Sequence, residues 1–81
     1  MKVNILLVDD KPENLTALEA SLENPEYSLF KAQSGEEALK YLMDEYFAVI
    51  LLDIRMPGMD GLQTAEIIRQ REKTRDTPII F

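Results

Sequence analysis

The chain has 81 residues with no cysteine and no histidine, which leaves room for one small domain and excludes a disulfide staple, a thiolate metal site and a conventional zinc centre. Nine basic residues against fifteen acidic ones give a net charge of −6, so attraction to DNA, RNA or anionic lipid is disfavoured as the main activity. The longest apolar run falls far below the roughly 20 residues of a membrane span, and Met1-Lys2 leads into a strand pattern rather than a signal-peptide layout, so a cytoplasmic protein without a membrane partner is expected.

Short apolar runs alternate with amphipathic ones. Val3 to Val8 is rich in branched aliphatics on both faces, as expected of an interior parallel strand, and it ends at Asp9-Asp10. Pro12 suits the first turn of a helix, where a missing N–H costs nothing. Leu15, Leu18 and Leu22 then recur at helical spacing and predict a helix to about Glu23, where Asn24-Pro25 breaks it. Tyr27 to Ala32 reads as a second strand, polar enough to stand at a sheet edge. Ser34-Gly35-Glu36-Glu37 has the form of a capping box, and Ala38, Leu39, Leu42 and Met43 give the second helix an apolar face.

The run from Ala48 to Asp53 is the central strand. Its four consecutive apolar residues, Val49 to Leu52, deliver a carboxylate to a loop broken by Pro57, Gly58 and Gly61. Asp60-Gly61-Leu62-Gln63 offers another cap, and Leu62, Ala65 and Ile68 carry a helical stripe to about Arg71. Glu72 to Thr77 reads as a polar linker, and Pro78 to Phe81 as a fourth strand. There is no internal repeat, low-complexity tract or second domain.

This βαβαβαβ alternation predicts an α/β fold: a doubly wound parallel sheet with right-handed crossovers and strand order 2-1-3-4. In such a sheet the binding crevice lies at the carboxyl ends of the strands where the winding reverses, here between strands one and three. Asp9, Asp10 and Asp53 occupy those ends. Carboxylates about 5 Å apart repel by a few kcal/mol per pair at an effective dielectric near 20, and no Lys or Arg stands at a strand end to offset it. A divalent hard cation such as Mg2+ meets the need. Beside it, a carboxylate can attack phosphorus to form an acyl phosphate, with Asp53 as the nucleophile and Asp10 with Asp9 holding the metal.

Plainer readings stand beside these. Asp9-Asp10 could cap the following helix, Asp60 is read as a cap alone, and Met56 and Met59 as packing for the loop. Met43 and the Leu stripe read as core, and Arg55 and Lys11 as solvated side chains. For Asp53 the plain reading is weak, because an unpaired acid ending an apolar run has a desolvation cost and caps nothing.

Val8-Asp9-Asp10 after the first strand, Leu51-Leu52-Asp53 after the third, and Met56-Pro57-Gly58-Met59-Asp60-Gly61 together resemble the response-regulator receiver domain of bacterial two-component signalling. The resemblance runs over the whole chain. It implies a flavodoxin-like fold in which Asp53 is the phosphoacceptor, Asp10 a direct Mg2+ ligand, Asp9 an acid acting partly through water, and Arg55 a donor of its backbone carbonyl to the metal. Pro57 and Gly58 would shape the loop. The implied partner is a sensor histidine kinase or phosphotransfer protein. The chain would be a receiver of phosphoryl groups, with at most slow self-catalysed phosphorylation and dephosphorylation, rather than an enzyme. Lys11-Pro12-Glu13-Asn14-Leu15 and Thr77-Pro78-Ile79-Ile80 also resemble receivers attached to sensor kinases or other effector modules.

Members of that family continue through a further helix, strand and helix that carry a Ser or Thr and a Lys, and the stretch ending at Phe81 holds neither. Residues 1–81 are therefore expected to be the N-terminal portion of a single receiver domain, a partial sheet with impaired output switching. The fourth strand is then expected to present an open edge to a second copy, giving a homodimer or higher assembly. Two rival functions remain: a phosphorylation-independent binding or assembly module, and a phosphatase of the haloacid-dehalogenase type. In the latter family the two acids after strand one stand one residue apart, whereas Asp9 and Asp10 are adjacent. A dinucleotide-binding site is poorly matched, because Asp9-Asp10-Lys11 stands where a Gly-rich turn is needed.

Overall fold

In a computed structural model that describes residues 2–81, the elements follow the order β1 (Val3–Val8), α1 (Pro12–Ser21), β2 (Tyr27–Ala32), α2 (Gly35–Asp44), β3 (Val49–Leu52), α3 (Gly61–Gln70) and β4 (Ile79–Ile80). The strands form one parallel sheet in the order β2-β1-β3-β4. The expected α/β architecture and strand order are both present. Strand register positions the acids: Val8 stands opposite Ala32 on one side and Leu52 on the other. Asp9 and Asp53, the next residue on each of the two central strands, therefore leave the sheet at the same level.

Alternation along the strands divides the core in two. Leu6, Val8, Ile50 and Leu52 face α2 and α3, where they meet Ala38, Leu39, Leu42, Phe47, Met56 and Ile68. Phe30 closes this layer by edge-on contacts with Tyr41 and Phe47, at centroid distances of 5.5 and 5.1 Å. Ile5 and Leu7 face the other way, against Leu15 of α1, with Leu18, Leu22, Val49 and Leu51 only partly covered. Two helices shield one face of the sheet and α1 alone shields the other.

Several local expectations are corrected. α1 ends at Ser21 rather than near Glu23; Pro25 disfavours the helical region for Asn24, whose side chain instead accepts from Glu26 N in a turn. The capping box at α2 is half formed: Ser34 Oγ accepts from Glu37 N, but the Glu37 carboxylate accepts from Gln33 N rather than from Ser34. At α3 the Asp60–Gln63 box is complete. Met43 is 67% exposed and Leu62 57% exposed, because Ala38, Leu39 and Leu42 already fill the inner side of α2, and Gly61, Thr64 and Ile68 that of α3. Residues 72–77 are an ordered turn rather than a plain linker. Thr74 is buried and donates its hydroxyl to Ile68 O at 2.7 Å, while Arg69 donates to the carbonyls of Arg75 and Thr77. β3 keeps the apolar run Val49–Leu52 but not the flanking Ala48 and Asp53 of the predicted strand, and β4 is Ile79–Ile80 rather than Pro78 to Phe81.

Candidate functional site

The central strands build the site. Asp53 N donates to Val8 O at 2.9 Å, and Asp9 N donates to Ala32 O at 3.1 Å, so the ladder continues one residue past each strand and then releases the chain. Asp9, Asp10 and Asp53 each place a carboxylate oxygen within 4.8 Å of the other two. Asp9 is buried, and Asp10 and Asp53 are partly buried.

The three acids differ in what holds them. Asp9 Oδ1 accepts from Lys11 N at 3.0 Å, and its Oδ2 from Asn14 Nδ2 at 3.1 Å. The capping reading thus describes Asp9 well, since it braces the start of α1 while Lys11, at the cap position, offers no side-chain bond. Asp10 has no such explanation: its Oδ1 is buried with no hydrogen-bond partner among the described residues. A buried carboxylate oxygen without a donor is costly, and a cation beside it removes the cost. Asp53 Oδ1 has one weak contact, with Arg55 N at 3.4 Å.

Among the described residues no side-chain cation compensates this charge. Lys11 and Arg55 are exposed, and among the described residues the one ion pair joins Lys31 to Glu19. Oxygen donors alone, an orphaned oxygen and concentrated negative charge fit a hard divalent cation such as Mg2+. The loop after Asp53 is pinned at Met56, which is buried in the larger core, with Met59 packed against it. Pro57 is exposed, and Gly58 takes φ of 74°, a left-handed conformation that glycine adopts without a Cβ penalty. A cavity of about 310 Å3 opens beside the acids on the α1 face, lined by Leu18, Leu51, Ile80 and Phe81 together with Asp9 and Asp53.

Two contributors escaped sequence reasoning. Asn14 holds Asp9 from the first turn of α1, and its spacing from Asp9 is the signal that was available. Gly61 donates its N–H to Ile54 O at 2.9 Å, next to Asp53, a tertiary contact with no signature in composition or periodicity.

The sequence profile of the family described as "Response regulator receiver domain" matches residues 5–81. The chain is 40% identical over 76 residues to the sensor histidine kinase GacS of Pseudomonas protegens, a match covering 93% of this chain and 8% of that protein. It is 38% identical over 81 residues to the transcriptional regulatory protein SrrA of Staphylococcus aureus, covering 100% of this chain and 32% of the regulator. The crystal structure of the response regulator protein TrrA from Thermotoga maritima, in complex with Mg2+ and BeF, superposes with a TM-score of 0.80 at 41% identity, covering 90% of this chain and 63% of that one. The chain thus spans no more than about a third of the two sequence relatives and just under two thirds of the structural one.

Proposed function

Since the chain belongs to the response regulator receiver domain family of two-component signalling, we propose that Asp53 is its phosphoacceptor and that Asp9, Asp10, Asp53 and the backbone carbonyl of Arg55 hold Mg2+. The observation that carries this reading is the gathering of three carboxylates within 4.8 Å, one of them with a buried oxygen that nothing among the described residues satisfies. Members of the family bind Mg2+ at an acidic site and act as signalling modules rather than as conventional enzymes.

Asp53 supplies the nucleophile. One of its carboxylate oxygens attacks phosphorus as the bond from phosphorus to the donor breaks, so an acyl phosphate forms and the donor leaves with the electron pair. When bound, Mg2+ neutralises charge on the phosphoryl oxygens. Asp10 brings an oxygen free of other partners, while Asp9, already committed to Lys11 N and Asn14, is suited to act through a water. Pro57 and Gly58 shape the loop that follows Arg55, whose backbone carbonyl would help hold the metal. The donor in the cell is a sensor histidine kinase or a phosphotransfer protein, and residues 1–81 form the N-terminal portion of a single receiver domain. Among the described residues no helix is long and apolar enough to cross a membrane, and a cytoplasmic setting goes with the proposed histidine kinase or phosphotransfer donor.

We also infer that residues 1–81, taken by themselves, pair with a second copy along β4. This strand stands at the sheet edge, with Ile80 and Phe81 more than half exposed beside it.

Intact-mass analysis after incubation with acetyl phosphate and Mg2+ tests the phosphoacceptor role. A single phosphoryl adduct is expected on the native chain and none on Asp53→Asn. A folded native chain that gains no adduct overturns the reading.

A further inference from the structure

We infer that Gly61 is a positioning residue for Asp53, its bare Cα serving as the stop against which the Asp53–Ile54 peptide rests. The inference rests on the reading of Asp53 as part of a divalent-cation site.

Gly61 is buried at the first position of α3, and its φ is not in the left-handed region, which among the described residues only Gly58 enters. Glycine is therefore not needed at 61 for backbone conformation. It is needed for proximity. A Cβ there would collide with the Asp53 carbonyl oxygen and lie 2.7 Å from Ile54 Cα and 2.9 Å from the Asp53 carbonyl carbon, all backbone atoms that cannot rotate aside. In the same place Gly61 N donates to Ile54 O.

The stop is itself anchored. The Asp60–Gln63 capping box fixes the start of α3, and Thr64, fully buried, donates its hydroxyl to Asp60 O at 2.8 Å. One turn later Ile68 is fully buried in the core. On its other side Asp53 is held by the bond from its N–H to Val8 O. Asp53 is thus caught between β1 and the first residue of α3, and any side chain at 61 must displace its peptide from the place where it faces Asp9 and Asp10.

The test titrates Mg2+ into the native chain, Gly61→Ala, Gln63→Ala and Asp53→Asn, reading calorimetry and amide resonances alongside thermal unfolding. Gly61→Ala is expected to weaken Mg2+ binding by about ten-fold or more, the scale seen when groups that orient metal ligands are altered, and to shift the Asp53 and Ile54 amide resonances before metal is added. Gln63→Ala loses a capping bond at the same helix start; it should lower the melting temperature yet keep the Mg2+ midpoint within about two-fold of native. A native midpoint in Gly61→Ala, or equal weakening in Gln63→Ala, overturns the inference. If Gly61→Ala does not fold, the native chain decides: the Gly61 resonances must move with Mg2+ at the midpoint of Asp53 while those of Gly35 stay, and a stationary Gly61 overturns the inference. A native chain that takes up no Mg2+ overturns the metal site instead, and the metal-free shift of the Asp53 amide in Gly61→Ala still decides the positioning role.

Discussion

Asp10 is the residue whose state most depends on what else is present. Its buried, unpartnered oxygen beside two other acids costs the metal-free chain stability, through desolvation and repulsion together. Asp10→Asn removes one charge and introduces an amide that can donate. The metal-free variant is therefore expected to be more stable than the native chain by about 1–3 kcal/mol, the scale of one unsatisfied buried group, as read by urea denaturation. The native chain should gain about 2.7 kcal/mol when Mg2+ reaches a hundred times its dissociation constant, and Asp10→Asn should gain far less. Asp9 should behave differently, because both its oxygens already have donors.

At the scale of elements, the turn after α3 has a structural task that its polarity conceals. Thr74 is 4% exposed, and its hydroxyl satisfies the Ile68 carbonyl near the end of the helix. Thr74→Val keeps the shape and loses the donor, so it should destabilise the fold by about 1–2 kcal/mol, whereas Glu72→Ala on the exposed side of the turn should be near neutral in the same denaturation experiment. Nothing in the run Glu72 to Thr77 distinguishes Thr74 from its neighbours, since a hydroxyl seeking a helix carbonyl leaves no periodic trace. The strands were far more legible, because an unbroken run such as Ile50-Leu51-Leu52 has few places to go except a sheet covered on both faces. Strand order and the meeting of Asp9, Asp10 and Asp53 then came from connection rules. Met43 and Leu62 were misplaced because spacing identifies an apolar stripe, while only packing shows which edge of it meets solvent. The backbone group that Glu37 reaches, and the peptide that Gly61 touches, likewise depend on three-dimensional neighbours.

For the whole molecule the dominant feature is asymmetry. Two helices seal one face of the sheet, while on the other Val49 and Leu51 stay half covered and Ile80 and Phe81 lie open at the edge. An open edge flanked by apolar side chains favours pairing with another chain, and a lysine there opposes it. Residues 1–81 by themselves are expected to show a concentration-dependent rise in mass by light scattering, and Ile80→Lys to scatter as a monomer over the same range. A native chain that stays monomeric at high concentration refutes pairing through β4.

The pairing of Val8 with Leu52 also sets when the site comes into being as the chain folds. Asp9 and Asp10 end one strand and Asp53 ends another, separated in sequence by α1, β2 and α2, so no local segment assembles the three acids. They meet only when β3 docks against β1, a long-range closure that comes at high entropic cost. Their mutual repulsion opposes that last approach. A cation that bridges them therefore stabilises the docked centre of the sheet and has little to hold in a chain whose strands have not yet met.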